Sequence, residues 1–114
     1  MEHLDLEFYP TSVEHAKKYG FKKSTAPLFL YKLFVEEEYR LSGIGKKALE
    51  YIDEYAKENK HDIVFGHIPQ KATMTKDNRT GYITDVDYIK HWLHRNGYAV
   101  NDDNNDFHKV VKKY

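Results

Sequence analysis

Leu33-Phe34-Val35-Glu36-Glu37-Glu38-Tyr39-Arg40-Leu41-Ser42-Gly43-Ile44-Gly45-Lys46-Lys47-Ala48-Leu49 is the stretch on which the fold of this chain turns. Upstream of its glycines, Leu28 to Val35 is nearly all apolar or aromatic, the pattern of a strand covered on both faces. Downstream, Ile44, Ala48, Tyr51, Ile52 and Tyr55 recur at helical spacing, which predicts a helix running to about Glu58. Between them stands Arg40-Leu41-Ser42-Gly43-Ile44-Gly45. Glycine tolerates positive φ and, lacking Cβ, lets another group come close to the backbone. The first amides of a helix have no internal partners and lie at the positive end of its dipole. A glycine turn that follows a strand and opens a helix therefore suits a pyrophosphate. Lys46 and Lys47 fall in the first helical turn, where a cation is unfavourable for the helix alone and is explained by a nearby anion.

Working outward, Leu4, Leu6 and Phe8 alternate with polar residues over 3–9 and predict a half-buried strand closed by Pro10. Thr11-Ser12-Val13-Glu14 has the Thr-x-x-Glu form of a capping box, so a short helix is expected over about 12–19, with Gly20 at its C-terminal end. Asp62 to Ile68 is a second apolar strand, stopped by Pro69. Strand, helix, strand in this order implies a right-handed crossover between parallel strands. Residues 69–83 read as a polar loop. Thr84-x-x-Asp87 opens a last helix with Val86, Ile89 and Leu93 on its apolar stripe and Asn96-Gly97 at its end. Tyr98 to Val100 and Phe107 to Val111 predict a closing hairpin around the turn Asn101 to Asp106.

The composition narrows the function classes. With 114 residues the chain has room for one domain and one core. Lys+Arg and Asp+Glu are each 18, so the formal charge is zero, which argues against nucleic acid and the membrane surface as partners. Ten Tyr, six Phe and one Trp compensate for a modest apolar share by burying large areas per residue. The absence of cysteine excludes a disulfide scaffold, a thiolate zinc site and a cysteine nucleophile. No apolar run is long enough to span a bilayer, and the first residues lack the pattern of a signal peptide, so a cytoplasmic protein is expected.

The quoted stretch resembles the acyl-CoA signature of the GCN5-related N-acetyltransferase (GNAT) superfamily. That motif reads Arg or Gln, two residues, Gly, one residue, Gly or Ala, after a strand ending in Val and an acidic-Tyr pair; here it stands as Arg40, Gly43 and Gly45. Further on, Trp92-Leu93-His94-Arg95-Asn96-Gly97-Tyr98 looks like the family's helix-end pattern before a strand. The likeness covers roughly residues 28–112. It implies a single GNAT-like domain over 1–114 of the α/β (α+β) class, with a mixed central sheet and flanking helices, shortened at its N-terminal end and splayed between the strands at 28–35 and 62–68. Coenzyme A would then lie in the gap, its pantetheine bonded to main chain at Phe34 and Val35. Its pyrophosphate would be held by Arg40 and the turn Leu41, Ser42, Gly43, Ile44, Gly45 and Lys46. The implied activity is acetyl-CoA-dependent N-acetyl transfer to an amine acceptor, small molecule or protein.

Three departures from the family pattern shape the remaining expectations. Residues 1–27 hold one strand and one short helix, where the family has more structure walling the acceptor site. The site is then open to a large acceptor, or completed by a second copy in a homodimer, or belongs to a degenerate domain that serves as a CoA-binding or interaction module. The family's usual Tyr acid, four residues before the helix-end Gly, is replaced by Leu93, which reads as core; Tyr88 and His94 are substitutes away from the matched position. Glu36 and His67, at the ends of the two splayed strands, are the candidates for a general base. His91 and His94 lack a third ligand, and Asn101 to Asp106 lacks the ligand order of a calcium loop, so no metal is expected.

Overall fold

The alternating N-terminal segment forms strand β1 (Leu4–Pro10) and the apolar run forms β2 (Pro27–Val35), in a computed structural model that describes residues 4–35, 43–68, 74–77 and 81–111. The two strands pair antiparallel, with Leu6 opposite Leu33 and Phe8 opposite Leu30. The register shifts between Glu7 and Phe8, so Tyr31 has no opposite residue and β2 carries a bulge there.

Between them lies helix α1 (Val13–Lys18). Its cap is Ser12, one residue later than the Thr11-x-x-Glu14 pattern predicts: Ser12 Oγ accepts from the His15 amide at 3.1 Å. Thr11 is drawn off because its own amide donates to the Pro27 carbonyl, extending the β1–β2 ladder. At the other end Gly20 takes φ 92°, with bonds from Gly20 N to Lys17 O and from Phe21 N to Ala16 O, a Schellman closure.

Helix α2 (Ile44–Glu58) then leads to β3 (Ile63–His67), which lies parallel to β2. Just ahead of β3, the Asp62 carboxylate accepts from Ser24 Oγ and the Thr25 amide, each at 2.7 Å, and ties the approach to β2 against the start of β3. The polar segment 69–83 is not simply a loop. It holds β4 (Met74–Asp77) and all but the last residue of β5 (Gly81–Thr84), paired antiparallel as a separate hairpin. Ladder bonds belong to the backbone, and the polar side chains there give no periodicity to read. Helix α3 (Asp85–Arg95), β6 (Ala99–Val100) and β7 (Asp106–Val110) complete a five-stranded sheet in the order β1-β2-β3-β7-β6. Helix α3 ends as expected, with Gly97 at φ 90° and Tyr98 N donating to Leu93 O.

The two faces of the sheet are unequally covered. Leu28, Leu30, Val64 and Phe107 bury against Leu49 and Ile52 of α2 and Leu93 of α3 in the main core. On the other face, among the described residues, Phe29, Ile63 and Phe65 cluster with Ala16 of α1 and meet the His15 ring, with Tyr19 and Phe21 at the edge. Six residues of α1 reach only the first half of β2, so Tyr31 is 60% exposed and Lys32 is exposed as well. The expectation of a strand covered on both faces therefore holds for Leu28 to Leu30 and fails at Tyr31 and Lys32. Helix α2 is also rotated from the expected stripe: Gly45, Ala48, Leu49, Ile52 and Ala56 are buried, while Tyr51 is exposed. Tyr51 and Tyr55 flank the buried face and meet the edge of Phe8.

Candidate functional site

The parallel pairing of β2 with β3 is confined to Pro27↔Ile63, Leu28↔Val64 and Phe29↔Phe65. Both strands continue, β2 to Val35 and β3 to His67, but they no longer pair. The sheet therefore opens into a gap that starts at Leu30 and Gly66. A Cβ on Gly66 would lie 2.6 Å from the Leu30 carbonyl oxygen and would also strike the Phe107 ring, so the vertex admits glycine alone. Beyond the vertex, main-chain groups along one edge of β2 are released from the β2–β3 ladder. The backbone of Phe34 and Val35 lies on this stretch.

The chain from the end of β2 to the start of α2 is short, and Glu36, Arg40, Leu41 and Ser42 lie outside the described residues. On the α2 side, Gly43 is the N-cap at φ 87°, without a side-chain capping bond. It is exposed, and a Cβ there would meet nothing within 4 Å, so its glycine answers to backbone conformation and faces open space. The helical ladder begins with Lys47 N donating to Gly43 O. The amides of Ile44, Gly45 and Lys46 precede that first bond and stand at the positive end of the dipole. No acidic residue occupies this first turn, and Lys46 and Lys47 are exposed.

Gly45 differs from Gly43. It is buried, and a Cβ on it would sit 2.6 Å from Cζ2 of Trp92. The second glycine of the motif thus seats the indole of α3 against α2, and the two motif segments, far apart in sequence, meet in one contact.

His67 ends β3 at the lip of the gap, and its Nδ1 lies 2.7 Å from Oδ1 of Asp106 on β7. Tyr31 and His67 each lie two residues beyond the last β2–β3 pair, on the sheet face that α1 partly covers. Tyr31 joins Tyr9 and Phe29 in a ring cluster with centroid separations of 5.5–6.4 Å. Tyr88 lies in α3, with its side chain outside the described residues. Leu93 is 2% exposed in the main core, so it supplies no acid. His91 and His94 are exposed, and among the described residues no three His, Cys, Asp or Glu side chains converge as metal ligands. The segment Asn101 to Asp106 forms a hairpin turn whose Asn101 and Asn104 side chains accept from the amides of Asp103 and Asp106. The sequence marks Asp106 as a turn residue and Tyr31 as a strand residue, and neither as part of a site. Their partners on the adjoining strands, His67 and Tyr9, are remote in the chain, and no local pattern announces them.

The mixed five-stranded sheet with its flanking helices matches the fold of solved GNAT acetyltransferases. Among solved structures the chain is similar to an acetyltransferase of the GNAT family from Staphylococcus aureus Mu50, with TM-score 0.57 and 20% identity over 75% of this chain and 52% of that one. It is also similar to PaiA N-acetyltransferase from Thermoplasma acidophilum, solved in complex with coenzyme A, with TM-score 0.53 and 16% identity over 74% and 46%. Nourseothricin acetyltransferase follows at TM-score 0.51 and 13% identity over 75% and 51%. The chain spans about half the length of these structures. No protein-family model and no curated protein matches the sequence. No helix among the described residues is long and apolar enough to cross a membrane.

Proposed function

We propose that this chain is an acetyl-CoA-dependent N-acetyltransferase acting on an amine. The observation that carries the reading is the early end of β2–β3 pairing at Phe29↔Phe65, with α2 opening on Gly43 a short chain length beyond the end of β2. The residues present fit the co-substrate: Gly43 leaves open space, three helical amides precede the first bond of the helical ladder, and the released edge of β2 offers main-chain partners. In this reading Phe34 and Val35 bind pantetheine through main chain, while Arg40 and the turn from Leu41 to Lys46 bind the pyrophosphate. Bound acetyl-CoA supplies an activated thioester. Glu36 or His67 takes the proton lost by the attacking amine, and Tyr88 is the candidate donor to the departing thiolate. The gap aligns the two reactants, which lowers the entropic part of the barrier. Tyr31 and the rings beside it give the acceptor side an exposed apolar lip.

The buried Leu93 favours a second reading, a GNAT-fold protein that binds coenzyme A or a partner without transferring an acyl group. An open acceptor side suits a protein acceptor or completion by a second copy of the chain. Thermal unfolding with acetyl-CoA and with CoA is the first test. At 100 times its dissociation constant either ligand should stabilise the fold by about 2.7 kcal/mol. No shift with millimolar CoA would sink both readings. Where CoA binds, thiol release across a panel of amines and lysine peptides separates enzyme from binder.

A further inference from the structure

The acyltransferase reading leaves Glu36 and His67 as rival bases, and the surroundings of His67 distinguish it. His67 and Asp106 are directly opposed across the β3–β7 ladder, and their side chains meet at 2.7 Å. A carboxylate only accepts hydrogen bonds, so His67 Nδ1 carries the hydrogen and, in the neutral ring, Nε2 carries the lone pair. The restraint comes from β7, which lies on the side of β3 away from β2. The ring is therefore tethered from outside the gap.

Asp106 is itself held firmly. Its amide donates to Asn104 Oδ1 at 2.9 Å, and its carbonyl accepts from the Asn101 amide at 2.8 Å. Next to it, Asn105 is buried at positive φ, and its carbonyl accepts from the Ile68 amide at 2.9 Å, one residue beyond His67. The polar run Asn101 to Asp106 thus fixes both members of the pair. Side-chain exposure falls from 39% at His67 to 21% at Asp106, so the carboxylate is the more sheltered partner and the imidazole the more accessible one. Tyr19, the C-cap of α1, is close enough that Asp106, after burial, helps to push its phenol above the ordinary value.

The geometry points to Asp106 as a positioning residue that holds His67 in the Nδ1–H tautomer, making His67 Nε2 the base of the proposed acyl transfer. The inference rests on that reading of the site. As the amine nitrogen bonds to the thioester carbon, its proton passes to Nε2. The C–S bond breaks, CoA leaves as the thiolate, and the imidazolium later releases the proton to water. The Nδ1–H bond to Asp106 persists throughout.

The test pairs a spectroscopic readout with kinetics on the full chain. In ¹⁵N-histidine-labelled protein, with the His67 signals assigned from His67→Gln, neutral His67 should show a protonated Nδ1 and an unprotonated Nε2. Asp106→Asn keeps the side-chain volume and the backbone bonds of the turn, yet should abolish that tautomer preference. It should also lower kcat on the order of tenfold or more, with KM for acetyl-CoA unchanged. Combined with His67→Gln it should add no further loss, and Asp106→Glu should recover part of the rate. A His67 protonated at Nε2, or an Asp106→Asn variant with unchanged kcat, overturns the positioning role and leaves acyl transfer standing. Failure of the wild-type chain to transfer an acyl group despite the expected tautomer overturns the acyltransferase reading, and the role with it.

Discussion

At the scale of single residues, the two motif glycines make different demands. Gly43 sits at φ 87° with open space around it, so an alanine there is strained by about 1–2 kcal/mol whatever its neighbours. At Gly45 an alanine gains about 1 kcal/mol of helix propensity but drives its Cβ into the Trp92 ring, a conflict worth about 1–3 kcal/mol. Gly45→Ala should therefore destabilise the wild-type chain in denaturant titration and become stabilising in a Trp92→Leu background, whereas Gly43→Ala should destabilise both. Asp62 supplies a pH-dependent contribution. Burial opposes its ionisation, but the bonds from Ser24, Thr25 and Ala26 outweigh burial and hold its carboxyl below the ordinary range. A depressed folded-state pKa adds stability above the unfolded value of about 3.9, and that addition fades as pH falls through the lower folded value. Asp62→Asn should thus cost about 1 kcal/mol near neutral pH, after allowance for solvent screening, with the difference shrinking in acid. The sequence reading found Gly43 because its local physics is written in adjacent residues. It could not see why Gly45 is glycine, since Trp92 lies on another helix.

Among the elements, the helix ends show most plainly what local sequence can and cannot convey. Helices α1 and α3 end on Gly20 and Gly97, and both were legible because glycine at such an end has a known conformation. Helix α2 closes in the same way, with Lys60 N donating to Lys57 O and His61 N to Ala56 O, but Lys60 stands where glycine would be expected, at φ 59°. Lys60→Gly should raise stability by about 0.5–1 kcal/mol in thermal unfolding, since the left-handed penalty is relieved and part of the gain is lost to unfolded-state freedom. The strands follow a different logic. The run at β2 announced a strand but not that Tyr31 and Lys32 would be exposed on it, because the length of α1, not the composition of β2, sets the cover. Strands β4 and β5 stayed hidden for want of any apolar alternation.

In the molecule as a whole, the vertex at Gly66 joins the core to the site. It is packed between Leu30 of β2 and Phe107 of β7, so a methyl group there presses on a backbone carbonyl that has little freedom to move. Gly66→Ala should destabilise the fold by about 3 kcal/mol or more, and equilibrium unfolding would measure it directly. A variant of near wild-type stability would show that the vertex is compliant. The strand order has a consequence during synthesis. The central strand β3 takes one neighbour from β2, already made, and the other from β7, with His67 and Asp106 standing 39 residues apart in the chain. A nascent chain that has passed β3 but not reached β7 holds Ile63, Val64 and Phe65 on a strand with one open edge. Translation must deliver the last strand before the sheet can close, and until then this unpaired apolar edge is the kind of surface that chaperones shield.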